Sequence, residues 1–259
     1  MLFRLTRLFK KLLMLTPFEG RRRLPVIELE PLDLLFLFFQ ARGQRITIFQ
    51  VGAFDGANND PIHRHAVSGL ARCILLEPNP SSFARLQETY AGVPNVTLLQ
   101  VAANEQDGEA YMYRVKAERA DSEDDQQMTS FDPKHLEKHG KTADDMERIT
   151  VSCRSLSSLV NELGLTKIDV LQIDAEGFDA AVVRMALNMG VLPDVINFEH
   201  IHLSHADRQP LFDQLTAKNY LLGYDAMNLI AVQQQFMETA KGVRTASGFR
   251  PVAASQFRG

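Results

Sequence analysis

Phe49-Gln-Val-Gly-Ala-Phe-Asp-Gly56, followed by Ile74-Leu-Leu-Glu77-Pro-Asn-Pro80, is the stretch that decides the fold. An apolar, β-prone run ends in a glycine turn, a helical pattern follows, and a second apolar run ends in one carboxylate. Gly52 and Glu77 are 25 residues apart, close to the span of one strand–helix–strand unit that binds a nucleoside. Glycines let backbone approach a ligand closely, and a carboxylate can accept two hydrogen bonds from ribose hydroxyls. The pattern points to an adenosine-type cofactor.

Outward from this unit, apolar runs alternate with helical patterns. Strands are expected over Ile46–Val51, Cys73–Leu76, Val96–Val101, Glu109–Tyr113, Ile168–Ile173 and Val195–Phe198, with Gly223 ahead of the last strand-like segments. Helices are expected over Pro31–Gln40, Asn59–Ser68, Ser81–Tyr90 with Ser81 as N-cap, Ser157–Leu163, Ala180–Met189 and Ala206–Lys218. Such alternation implies an α/β domain, a mostly parallel sheet with helices on both faces. Arg114 to Arg148 breaks the rhythm: it is polar, with Asp121-Ser-Glu-Asp-Asp125 at its centre. It reads as a surface loop or as a lid whose Met128-Thr-Ser-Phe131 and His135 fold over an acceptor. The expected layout is a basic extension over 1–30, one domain over 31–241 with a polar insertion at about 114–148, and a tail over 242–259.

The totals suit this reading. A chain of 259 residues, 45% hydrophobic and 23% charged, can bury a full core. A net charge of −4 argues against a nucleic-acid partner by bulk electrostatics. The two cysteines, Cys73 and Cys153, lack metal-ligand spacing and demand no oxidising compartment. Met1 to Arg23 departs from the average, with seven Lys or Arg and one acid, Glu19. Leucines at near-helical spacing there suggest a basic amphipathic helix on an anionic membrane surface, a helix packed on the domain, or a frayed terminus. No apolar run is long enough to span a bilayer. The expectation is a cytoplasmic protein, with peripheral membrane contact through residues 1–23.

In open parallel sheets the ligand sits beyond the carboxyl ends of the strands. Five such ends are chemically marked here: Gly52 and Gly56, then Glu77, then Ala102, Ala103 and Asn104, then Asp174, Glu176 and Gly177, and finally Glu199, His200 and His202. Taken singly, the glycines read equally as a tight turn, Glu77 as an exposed acid, and Asp174 with Glu176 as a helix-start pair. Their convergence favours a site.

Four segments together, Val51-Gly-Ala-Phe-Asp-Gly56, Leu76-Glu-Pro-Asn-Pro80, Leu171-Gln-Ile-Asp-Ala-Glu-Gly177 and Phe198-Glu-His200, resemble FkbM-type methyltransferases. The resemblance covers roughly Ile46 to Gly223, and Ile173-Asp-Ala-Glu-Gly177 is its most specific element. It implies a class I (Rossmann-like) fold, S-adenosylmethionine as cofactor, and O-methylation of a hydroxyl on a sugar or natural product. By that analogy Gly52 and Gly56 line the methionine end and Glu77 holds the ribose. Pro78 and Asn79 shape that turn, Ala102 and Ala103 lie near the adenine, and Asp174 sits by the transferring methyl. Such enzymes commonly carry an acid two residues before the first glycine, where this chain has Gln50; Asp55 is the expected source of the missing carboxylate.

A general base is expected among Asp174, Glu176 and His200, with Glu199 and His202 as further candidates. Glu199, His200 and His202 lack the spacing of a defined metal site, and no metal is expected. Two rival readings remain. An NAD-binding oxidoreductase would use Glu77 equally, but Gly52 to Gly56 lacks the dinucleotide glycine spacing. A catalytically silent, membrane-associated interaction protein on the same fold is the other.

Overall fold

Seven strands form the main sheet of the computed structural model, which describes residues 31–240 apart from 42, 44, 202, 225 and 226. The chain divides into two units, 1–30 and 31–259; the basic extension, the tail from 242 and His202 lie outside the described residues. The main sheet contains β1 (Ile46–Val51), β2 (Ala71–Leu76), β3 (Val96–Leu99), β8 (Val170–Ile173), β9 (Val195–Glu199), β10 (Tyr220–Tyr224) and β11 (Asn228–Gln233). Their spatial order is β3-β2-β1-β8-β9-β11-β10. In this sheet β3, β2, β1, β8 and β9 run parallel, and β11 is antiparallel to both of its neighbours.

The chain winds outward from β1 to β3, then returns to lay β8 on the other side of β1. Strand order reverses there, so the carboxyl ends of β1 and β8 open into a crevice. Alternation along each strand builds two cores. Phe49, Val51, Leu171, Ile173 and Phe198 face helices Leu156–Glu162, Asp179–Ala186 and His205–Ala217. Ile48, Leu75, Val170 and Val195 face the opposite layer, with helices Pro31–Ala41, His63–Val67 and Pro80–Thr89. The period-two pattern follows from the pleat.

The crossover from β3 to β8 carries a second sheet of four strands, ordered β4 (Ala102–Ala103), β7 (Met146–Arg154), β5 (Gly108–Val115) and β6 (Thr129–Ser130). The polar stretch expected as a loop or lid is therefore largely structured. β7 pairs antiparallel along the whole of β5, from Gly108↔Cys153 to Val115↔Met146. Met146, Val151 and Cys153 are the buried positions of that strand among polar neighbours.

Some element boundaries move for local reasons. The helix expected over Asn59–Ser68 shrinks to His63–Val67, because Asn59 has φ +53° and the Asp60 carboxylate accepts from Ile62 N at 2.7 Å, holding a turn around Pro61. The next helix starts at Pro80 rather than Ser81. Asn79 is its N-cap, accepting from Ser81 N at 3.2 Å, and Pro80 supplies a pre-set φ at the first position. The third strand stops at Leu99, where Ala102 and Ala103 leave for the second sheet. Gly223 lies within β10 rather than ahead of it. Among the described residues no helix is long and apolar enough to cross a membrane.

Phe198 is fully buried in the core directly below the crevice. Phe198→Ala should cost about 3–5 kcal/mol in urea unfolding; a loss under about 1 kcal/mol would contradict this packing.

Candidate active site

The loop after β1 is tied to the end of β2, since Gly52 N and Ala53 N both donate to the Leu76 carbonyl at 3.0 Å. It also touches the loop after β8. Gly52 has φ +78°, and a Cβ there would sit 1.7 Å from the Asp174 carbonyl oxygen, so no side chain is tolerated. Gly56 meets protein instead: a Cβ would strike Tyr90 and Leu86 at 2.4 and 2.5 Å, and its carbonyl accepts from Tyr90 Oη at 2.9 Å. Asp55 is consumed by its own loop. Its Oδ1 accepts from Ala57 N and Asn58 N at 3.0 Å and its Oδ2 from Asn58 Nδ2 at 2.7 Å. Burial raises the Asp55 pKa, but these hydrogen bonds outweigh burial and hold it below the usual carboxylate range.

Glu77 ends β2 with a buried carboxylate. Oε2 accepts from Phe54 N at 2.9 Å and Oε1 from Asn79 N at 2.8 Å, which fixes the plane of the group. Each oxygen keeps a lone pair for a further donor. Burial pushes the carboxyl up to about 8 despite the two amides, and Glu176 adds to the rise.

The loop after β8 is held from two sides. Below it, buried Asp179 accepts from Ala175 N at 3.4 Å and Gly177 N at 3.3 Å, and burial pushes its carboxyl up to about 6. Above it, the second sheet acts as a clamp. Ser130 Oγ donates to the Glu176 carbonyl at 2.8 Å, and buried His135 Nε2 lies 2.8 Å from Glu176 Oε2. Glu176 itself has φ +47°, a left-handed conformation that is costly for a residue with a side chain and is held by these contacts. The same sheet grips the β2 end, where Asn79 accepts from Arg114 Nη1 at 2.8 Å and donates to Thr129 Oγ1 at 3.1 Å.

Between these loops lies a cavity of about 540 Å³, counting its open mouth. It brings together Gly52, Glu77, Pro78, Ala102, Ala103, Asp174 and Glu176, from four strand ends. Asp55, Gly56 and Asn79 are not in its lining; they shape the turns behind it. His200 is also outside it, with its backbone N–H donating to the Met227 carbonyl at 2.9 Å and its ring edge-on to Tyr224. Sequence reasoning missed the apolar walls, Met112, Phe178 and Val182, and the loop anchor Asp179. Asp179 carried one signal, an acid in the first turn of a helix right after the marked loop.

Asp174 is half-buried on the cavity wall. Burial raises its carboxyl well above the ordinary range, and the charges that act on it most strongly are all acids: Glu176, Asp179, Glu199 and Asp60. Among the described residues, no group of three or more His, Cys, Asp or Glu could hold a metal ion.

The sequence profile of the methyltransferase FkbM domain matches residues 50–225. The chain belongs to the FkbM methyltransferase family. Its sheet is that of a class I methyltransferase, and the family's cofactor is S-adenosylmethionine; the oxidoreductase reading falls away. Among solved structures, the chain is similar to an FkbM methyltransferase from Methylobacillus flagellatus (13% identity, TM-score 0.43), with 75% of this chain and 46% of that one covered. It thus spans less than half of that relative. A methyltransferase from Geobacter sulfurreducens aligns at 13% identity and TM-score 0.44 over 88% of this chain and 96% of that one. An O-methyltransferase from Bacillus cereus, solved in complex with SAH, aligns at 15% identity and TM-score 0.41 over 81% and 84%. Among curated proteins none matches the chain.

The residues of this FkbM methyltransferase fit the family's cofactor on their own chemistry. Glu77 offers a fixed, buried carboxylate with free lone pairs for two hydroxyls. Asp174 is surrounded by acids, a setting that favours a cation. When bound, S-adenosylmethionine supplies a positively charged sulfonium and an electrophilic methyl group.

Raised carboxyl pKa values give the ligand-free protein a signature. Glu77 in the native state binds a proton up to about pH 8, whereas the unfolded chain releases it near the ordinary glutamate value of 4.5. Between those limits the native state holds the extra proton, so stability falls as pH rises. Asp179 acts the same way up to about 6. The melting temperature should therefore fall from about pH 5 to about pH 8, and Glu77→Gln should flatten that slope; a rise over the same interval in the unmodified protein would contradict the assignment.

Proposed function

We propose that this enzyme transfers the methyl group to a hydroxyl oxygen of a sugar or natural-product acceptor. The observation that supports this reading most is Asp174, half-buried on the wall of the cavity with its carboxyl pushed well above the ordinary range. A hydroxyl must lose its proton as its oxygen is methylated, and a base whose pKa lies nearer the working pH serves that transfer best. In this reading Asp174 takes that proton, Glu77 binds the ribose, and Gly52 lets the backbone of the two loops meet beside the reacting centre. Glu176, fixed by His135 and Ser130, faces the same cavity and positions the acceptor. The apolar walls, Phe131, Phe178 and Met112, exclude water from it and suit a partly apolar acceptor or the face of a sugar ring.

Transfer of a ¹³C-labelled methyl to extract fractions tests the reading, because carbon NMR separates methyl on oxygen from methyl on nitrogen, and alkali stability separates an ether from an ester. An alkali-stable O-methyl product is expected. Asp174→Asn should lower kcat by about 10²- to 10⁴-fold while leaving binding of the demethylated product within a few-fold. Label found on nitrogen or in an ester, or an Asp174→Asn variant of full activity, would overturn it.

A further inference from the structure

A row of buried carboxamides crosses the three central strands just below the crevice. Gln50 on β1, Gln172 on β8 and Asn197 on β9 are register partners in turn, and all three are buried. Asn197 Nδ2 donates to Gln172 Oε1 at 2.7 Å. Both ends of the row are incomplete: Gln50 Oε1 on β1 and Asn197 Oδ1 on β9 are buried with no hydrogen-bond partner among the described residues. Gln50 lies on the same sheet face as Ile48, the face covered by the loop that carries Asp60.

Asp60 comes to that position from the turn around Pro61. One of its oxygens, Oδ1, accepts from Ile62 N at 2.7 Å, while Oδ2 is buried with no hydrogen-bond partner among the described residues. The Gln50 side-chain N–H is directed at this carboxyl, and the Asp60 charge reaches Asp174 on the cavity wall. Two buried acceptor oxygens, one on each of these neighbouring side chains, are thus left within an acidic surround behind Val51 and Gly52 of the cavity lining, which neither Gln50 nor Asp60 itself joins. A buried acceptor left without a donor is costly, and two acceptors among acids call for a ligand that carries both donors and positive charge.

We propose that Asp60 and Gln50 together form the subsite for the α-ammonium group of the cofactor, with Asp60 delivering from the loop the carboxylate that the strand position, occupied by Gln50, lacks. With Glu77 holding the ribose at the end of β2, the amino-acid end of the ligand extends toward the ends of β1 and β8, where these oxygens lie. A carboxylate ligand would be repelled there; an ammonium gains two acceptors and a counter-charge. Asp55, whose oxygens are already engaged, has no such capacity. The proposal rests on the cofactor assignment and is independent of the acceptor.

Calorimetric titration with two ligands tests it: S-adenosylhomocysteine, which carries the ammonium, and methylthioadenosine, which keeps the nucleoside and lacks the amino-acid end. Asp60→Asn should weaken S-adenosylhomocysteine by about tenfold or more and leave methylthioadenosine unchanged, since loss of a charged hydrogen bond is specific to the ammonium. Adding Gln50→Glu to that variant should restore part of the lost affinity. Equal losses for both ligands would assign Asp60 a structural role, and no loss for either would remove it from the site; both overturn the proposal. If Asp60→Asn does not fold, the unmodified protein still decides: N-acetylation of S-adenosylhomocysteine should weaken it about tenfold or more, and unchanged affinity would overturn the subsite. Binding of both unmodified ligands to the unmodified protein keeps the cofactor assignment separate from this outcome.

Discussion

Crowding of carboxylates at the carboxyl ends of β1, β2, β8 and β9 is the constraint on which the site depends. Burial pushes Glu77 up to about 8 and Asp179 to about 6, and it raises Asp174 well above its ordinary value, with Glu176, Asp179, Glu199 and Asp60 adding to that rise. Burying one carboxylate without a cation is unfavourable, and clustering several compounds the cost. Such an arrangement persists where a ligand relieves it. A sulfonium with an ammonium brings two positive charges, and transfer of the methyl removes one of them. The pocket that favours the donor therefore favours the neutral-sulfur product less. The same physics serves the chemistry, because a cation beside Asp174 lowers its pKa and restores the ionised form that accepts a proton.

The second sheet is what keeps this crowded centre in place. β5 and β7 form a long antiparallel pair whose edge reaches both walls of the crevice. Arg114 and Thr129 fix Asn79 at the β2 end, and Ser130 and His135 fix Glu176 at the β8 end. Those contacts, together with Asp179 below, hold a glutamate at φ +47° beside another carboxylate. The insertion is thus a wall of the site and a brace for its loops, and Gln127, Thr129 and Phe131 from it line the cavity.

The sequence made the glycine turn legible for a physical reason. Gly52 abuts the Asp174 carbonyl so closely that only glycine fits, and a requirement that strict leaves its mark on the chain. Strand-end acids were legible because apolar runs announce where strands stop. What escaped reading depends on three-dimensional placement. β7 was hidden by its polar neighbours, although its buried positions keep period two near its carboxyl end, at Val151 and Cys153. Asp55 and Asp60 are five residues apart and look equivalent on paper. The turn around Pro61 sends one inward with a free oxygen, while the Asn58 side chain and two backbone amides occupy the other. Gly56 likewise looked like its partner Gly52, yet it packs against Tyr90 and Leu86 rather than facing the cavity.

The central claim, that buried carboxyls are protonated until a cationic ligand ionises them, is most directly tested by proton linkage. Titrating S-adenosylmethionine into the protein calorimetrically near pH 7, in buffers of different ionisation enthalpy, counts protons exchanged on binding. Net release of about one proton or more is expected, because carboxyls with raised pKa values lose their protons as positive charge arrives. No exchange, or net uptake, would contradict it.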